Sequence, residues 1–181
     1  ITAAAAIEEG ETTPDEVHTV PGQIEMDGLT VRDAWEHGVM PYTTAGIFGK
    51  SSNVGTLQLV QRLGEERYWD YLNRFGIGQS YDLGLPNAAG SLGELPGGAE
   101  LAQSAIGQRD VTMTALQAAV MAATIANKGK RMEPHVVRAV RNADGKVVKE
   151  TKPVELNEAV TEEEAATITD LMYGSERWSY G

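Results

Sequence analysis

The chain has 181 residues, no cysteine and a formal net charge of −11, from 15 Lys and Arg against 26 Asp and Glu. The missing cysteine excludes disulfides, thiolate catalysis and Cys-ligated metal sites. The acidic balance argues against nucleic acid, which needs basic patches, and against an anionic membrane held by charge. No run of about 18 apolar residues occurs, so no segment reads as a membrane-spanning helix.

Residues 1–9 predict an apolar, buried helix: the alanine run has high helix propensity, carries no charge before Glu8, and stops at Gly10. Turn signals at Thr13-Pro14, Pro21-Gly22 and Asp27-Gly28 break up residues 11–30, leaving extended pieces such as Gln23–Met26. Thr30 to Trp35 is expected to open a short helix. The stretch before Phe48, rich in Gly, Thr and Pro, reads as a loop. From Asn53 the apolar residues Val54, Leu57, Val60 and Leu63 step by three, with Leu59 beside them, and predict a helix ended by Gly64 and capped by Ser51 or Ser52. Glu65 to Phe75 follows as a second helix, with Tyr68, Tyr71, Leu72 and Phe75 inward.

Residues 76–109 are glycine-rich, hold Pro86 and Pro96, and read as one long loop that could wall a cleft. Thr114 and Gln117 have capping-box spacing at the start of the strongest helical pattern. There Leu116, Val120 and Ile125 are expected in the core, and Ala118, Ala119, Ala122, Ala123 and Ala126 would admit a close neighbour. Asn127 and Gly129 stop it. Asn142-Ala143-Asp144-Gly145 between two valine-rich runs predicts a hairpin. Thr161 to Glu164 starts a last helix with acid in its first turn and a core face of Ala165, Ile168, Leu171 and Met172.

Among motifs, Ser51-Ser52-Asn53 places a hydroxyl and a carboxamide at a helix mouth, which suits proton transfer and the holding of a peptide amide. A bare Ser-x-Asn triplet is also an ordinary helix cap, and alone the cap is the commoner reading. His18, His37 and His135 have no metal-ligand spacing and read as core or surface histidines. Lys50 reads as a solvated or supporting lysine, since adjacent residues at a helix entry rarely converge. Glu8-Glu9 and Glu162 to Glu164 read as helix-end charges. Glu94 and Glu100 fall in the glycine-rich loop.

The stretch Asp33-Ala34-Trp35-Glu36-His37-Gly38 followed by Lys50 to Gly55 resembles the transpeptidase domain of class B penicillin-binding proteins, in which Ser-x-Asn is the second of three active-site motifs. Ile106-Gly107-Gln108, Thr114 to Gln117, Ile125 to Gly129 and Pro134 to Val137 are similar to that family in order and spacing. The likeness covers residues 1–145 well and the tail loosely. It departs at Arg109, where the family usually has Gly, and at Ala115, where it usually has Pro. The family's other motifs, Ser-x-x-Lys and Lys-Thr/Ser-Gly, do not occur in the 181 residues.

The resemblance implies a mixed α/β fold, the penicillin-binding protein/serine β-lactamase-like transpeptidase fold, present in part. Residues 1–181 would be the central part of that domain, with a helical lobe mainly at 51–129 and a hairpin and flanking helix at 132–175. Residues 1–9 would continue the helix that begins at Ser-x-x-Lys, and the Lys-Thr-Gly strand would follow Gly181. The implied activity of the parent is peptidoglycan D,D-transpeptidation by serine acyl transfer. The phrase Asp33 to Thr44 looks most like the septal, cell-division member in actinobacteria.

Carried over, Ser51 is the catalytic proton shuttle and Asn53 the substrate-binding residue, while nucleophile and base lie outside the chain. Implied partners are peptidoglycan stem peptides, β-lactam antibiotics, cell-division proteins and the remaining segments of the same domain, with no nucleic acid, no metal and no cofactor. The implied location is the extracytoplasmic face of the cell membrane, on an anchor not present here. Both termini look cut. Two rival readings are a related serine β-lactamase or β-lactam sensor domain, and a non-catalytic scaffold with a degenerate site.

Overall fold

A computed structural model of the chain describes residues 1–26, 28–93, 98–108 and 111–178. In chain order the elements are α1 (Thr2–Glu8), β1 (Val17–Val20), β2 (Gln23–Met26), β3 (Leu29–Arg32), β4 (Met40–Thr43), α2 (Thr44–Lys50), α3 (Asn53–Leu63), α4 (Glu65–Arg74), α5 (Gly98–Ala105), α6 (Ala115–Ala126), β5 (Lys130–Met132), β6 (Ala139–Arg141), β7 (Val147–Glu150), β8 (Glu155–Glu158) and α7 (Glu162–Trp178). The strands pair antiparallel as four two-stranded ladders, β1 with β4, β2 with β3, β5 with β8 and β6 with β7.

The alanine helix α1 is the axis of the core. Ala4, Ala5 and Ala6 are almost wholly buried, and their small side chains let the helix pack close against α3, α4 and α7. From α3 come Leu57, Val60 and Leu63, from α4 Tyr68, Tyr71 and Leu72, and from α7 Ala165 and Ile168. Each large side chain buried this way contributes about 1.5–3 kcal/mol. A second cluster of Ala6, Val20, Ile47, Val54 and Leu59 ties α1, β1, α2 and α3 together.

Where α1 meets α7, two carboxyl groups come together. Glu8 Oε2 accepts the Thr161 N–H at 3.1 Å. Glu164 is buried, and its Oε1 has no hydrogen-bond partner among the described residues. Burial, then the charges of Glu8 and Glu163, push the Glu164 carboxyl up to about 8.

Several sequence expectations change. Thr30 to Trp35 does not open a helix: Leu29–Arg32 is a strand paired with Gln23–Met26, as the β-branched Thr30 and Val31 favour. The stretch before Lys50 is the helix α2 rather than a loop, started by Thr43, whose Oγ1 accepts the Gly46 N–H at 3.0 Å. The 76–109 stretch contains α5, and Ser91 within it forms an antiparallel bridge to Thr112 beyond it. Glu94, Pro96 and Arg109 lie outside the described residues.

On α6 the capping box forms as expected. Leu116, however, is half-buried, while the neighbouring Gln117 is fully buried. The Gln117 amide donates to the carbonyls of Gly76 (3.1 Å), Gln79 (2.9 Å) and Ala89, so a polar network rather than leucine fills that side. Ala119, Ala122, Ala123 and Ala126 face outward. On α7, Ala165 and Ile168 are buried but Met172 is exposed, because the helix turns its acidic and Met172–Tyr173 face to solvent.

Candidate active site

Two residues, Ser51 and Ser52, separate α2 from α3. Ser51 has φ 55° and ψ 42°, the left-handed conformation, and closes α2: its N–H donates to Phe48 O at 3.1 Å and the Ser52 N–H to Ile47 O at 3.0 Å. This is the hydrogen-bond pattern in which glycine usually occupies the left-handed position. A serine there stores strain of about 1–2 kcal/mol. Such strain persists where the surroundings impose it, and it clusters at functional sites.

Ser52 opens α3 at once. It is fully buried, and its Oγ accepts the Gly55 N–H at 2.9 Å. Of the two serines offered by the sequence as a cap, Ser52 therefore caps α3 and Ser51 is the exposed hydroxyl. Ser51 lines a groove of about 360 Å³ with Ile1, Thr2 and Ala3 of the α1 end, Ile47 and Phe48 of α2, Thr56 and Leu59 of α3, Ala105 of α5 and Ser175 of α7. The first turn of α1 and Ser51 thus line one cleft, and the end of α5, in the stretch read as a loop, supplies part of its wall.

Asn53 is the first residue of α3. Its Nδ2 donates to Arg32 O at 2.9 Å, and it is not among the residues lining the groove. The structure therefore brings Ser51 to the groove and ties one N–H of the Asn53 carboxamide to the end of β3. Lys50, half-buried, borders a neighbouring groove with Asp170, Leu171, Gly174 and Ser175.

The histidines divide three ways. His135 is exposed. His18 is buried beside Thr12 and Thr44, with Nε2 at 3.1 and 2.8 Å from their hydroxyls, and burial holds its imidazole below the usual pKa. His37 places Nε2 2.9 Å from Asp33 Oδ2 and Nδ1 2.8 Å from Gly38 O, with its ring stacked on Trp35 and edge-on to Tyr42. Among the described residues no group of three or more His, Asp or Glu side chains converges to hold a metal ion, and no helix is long and apolar enough to cross a membrane.

The penicillin binding protein transpeptidase domain matches residues 1–181. The chain belongs to that family. Over 176 residues it is 48% identical to penicillin-binding protein PbpB of Mycolicibacterium smegmatis, covering 94% of this chain and 26% of that protein. It is 32% identical over 182 residues to peptidoglycan D,D-transpeptidase PbpA of the same organism, covering 98% of this chain and 37% of the relative. Among solved structures it resembles penicillin binding protein 3 of Mycobacterium tuberculosis in complex with aztreonam, with a TM-score of 0.86 at 47% identity, covering 94% of this chain and 38% of that one. The ceftriaxone acyl-enzyme complex of penicillin-binding protein A from M. tuberculosis matches with a TM-score of 0.88 at 29% identity, covering 97% of this chain and 41% of that one. The transpeptidase fold is thus present in part, as mixed helices and antiparallel strands, and the chain spans about a quarter of PbpB.

Beside Ser51 and Asn53, the candidates the sequence offers, the structure places Asp33, which the sequence reading did not single out as a site residue. Asp33 is buried, and its carboxylate bonds Ser52 and the Val54 N–H. The available signal was an acid four residues before His37, at the end of a β-branched run.

Proposed function

We propose that this chain is the central part of a peptidoglycan D,D-transpeptidase of the septal, cell-division kind, working by serine acyl transfer at the outer face of the cell membrane. The observation that carries it is the left-handed, exposed Ser51 lining one groove with the first turn of α1, within a chain 48% identical to PbpB. The septal assignment is supported by the phrase Asp33 to Thr44 and by the lower identity, 32%, to PbpA.

In this reading other segments of the same domain supply the nucleophilic serine and its lysine. The nucleophile attacks the carbonyl of a D-Ala-D-Ala peptide, or the β-lactam ring, and the C–N bond breaks. Ser51 Oγ relays the proton that the departing nitrogen takes up. Asn53 holds the substrate amide through the carboxamide, with one N–H anchored on Arg32. The ligands of the solved relatives, aztreonam and the acylating ceftriaxone, are β-lactams that fit such a site.

The test is acylation of the whole protein by a fluorescent penicillin. Ser51→Ala and Asn53→Ala are each expected to slow it by about 10²-fold or more, the scale of a lost acid–base or donor group. Wild-type rates in both variants overturn the assignment. The 181 residues alone are expected to form no covalent adduct; a stable adduct would place the nucleophile within them, with Ser51 the first suspect.

A further inference from the structure

Arg32 at the end of β3 and Asp33 just after it hold the three residues following Ser51. Arg32 O accepts from Asn53 Nδ2 at 2.9 Å. Asp33 Oδ2 accepts from Ser52 Oγ at 2.8 Å, and Asp33 Oδ1 accepts the Val54 N–H at 3.0 Å. The carboxylate thereby bridges the cap and the first turn of α3, and its side chain has no solvent exposure. Bonds to a carboxylate are shorter and about twice as strong as those between neutral groups, so this clamp is stiffer than the backbone turn it holds.

His37 fixes the carboxylate in turn. Its Nε2 lies 2.9 Å from the Oδ2 that Ser52 also uses, and its Nδ1 lies 2.8 Å from the Gly38 carbonyl oxygen. Trp35 and Tyr42 hold the ring plane, with centroids at 5.5 and 6.0 Å. A chain of contacts therefore runs from two aromatic rings through His37 and Asp33 to the residue adjoining Ser51.

We propose that Asp33, steadied by His37, is a positioning residue for acyl transfer, its carboxylate setting the turn that presents Ser51 and Asn53. The proposal rests on the transpeptidase reading above. Asp33 touches neither reacting atom. It acts through Ser52 and Val54, and through the strand end that anchors Asn53. Ser51 sits in a strained conformation that relaxes if the residues after it are released. The displaced hydroxyl then no longer reaches the departing nitrogen.

The experiment uses the whole protein and separates the acylation rate constant from the dissociation constant of the non-covalent penicillin complex. Asp33→Asn is expected to lower the rate constant by about 10- to 10²-fold, the scale of a misplacement of about 1 Å, and to change the dissociation constant little. His37→Gln, which leaves Asp33 in place, is expected to lower the rate constant in the same sense by a smaller factor, and serves if Asp33→Asn does not fold. Val60→Ala, a core truncation on the same helix remote from the turn, provides the stability control: a lower Tm with an unchanged rate constant below its melting range. If the wild type acylates and both Asp33→Asn and His37→Gln match Val60→Ala in rate constant, the proposal is overturned and the transpeptidase reading stands. If the wild type forms no adduct, the transpeptidase reading falls and the proposal with it.

Discussion

Gly55 lies so close to Ile47 that a methyl group in place of its hydrogen would stand 2.6 Å from Ile47 Cγ1. α3 can fold back on α2 through a single turn only because this position has no side chain. Gly55→Ala is therefore expected to destabilise the protein by about 1–3 kcal/mol through overpacking, despite the better helix propensity of alanine. Denaturant unfolding measures the cost. An alanine variant as stable as wild type would mean that α2 and α3 are less tightly apposed than described.

Stability and reactivity should part company at Ser51. Ser51→Gly removes the left-handed strain and is expected to raise stability by about 1 kcal/mol. The same change removes the hydroxyl and should slow penicillin acylation by about 10²-fold. Thermal melting and acylation kinetics on one preparation check both. A glycine variant that is both less stable and fully reactive contradicts the strained conformation and the assigned role together.

Gln117 offers a test of the polar core. Gln117→Leu keeps the volume and adds apolar surface, yet it removes the two N–H groups shared by the carbonyls of Gly76, Gln79 and Ala89 and the Oε1 that accepts the Thr114 N–H in the capping box. Each buried unpaired polar group costs about 1–3 kcal/mol. The variant is expected to be less stable than wild type by about 3 kcal/mol or more, read by chemical denaturation. Unchanged stability would show that those carbonyls find other partners.

Glu164 gives the pH dependence. Its carboxyl is pushed up to about 8 in the folded protein, chiefly by burial, from an ordinary value of 4.5. Between those values the folded protein retains a proton that the unfolded chain has shed. This group's contribution therefore weakens as pH rises from about 4.5 to about 8, and the loss is complete above that range. Glu164→Gln is expected to match wild type near pH 4 and to melt several degrees higher near pH 9, about 2–4 °C for each kcal/mol. A variant whose advantage is the same at both pH values would show that the carboxyl ionises normally.

Much of the fold was legible where side-chain period and burial agree. The stripe Val54, Leu57, Val60, Leu63 reads as a helix face and is one, and Asn142 to Gly145 reads as a hairpin turn and joins β6 to β7. The helix α2 was not legible, because Gly46 and Gly49 lower its propensity and its stability comes from outside, through Ile47 in the second core cluster and the Thr43 cap. Periodicity placed Leu116 in the core and overlooked Gln117, since a pattern of apolar residues carries no information about a buried amide serving three carbonyls. At the site, Ser51 and Asn53 were named from a motif. Asp33 was not, because its partners lie about twenty residues away and only folding brings them within reach.

The ribbon of β6 and β7 has one further consequence. Val140, Val147 and Val148 are exposed, and among the described residues this two-stranded ladder has no further strand paired along either outer side. Valine-rich edges of this kind recruit strands from other molecules. Lys149 lies within β7, with Lys146 before it and Lys152 after it. A second copy approaching edge to edge meets its own lysines. Charge along a strand edge disfavours pairing with another copy, a colloidal matter separate from both folding and chemistry.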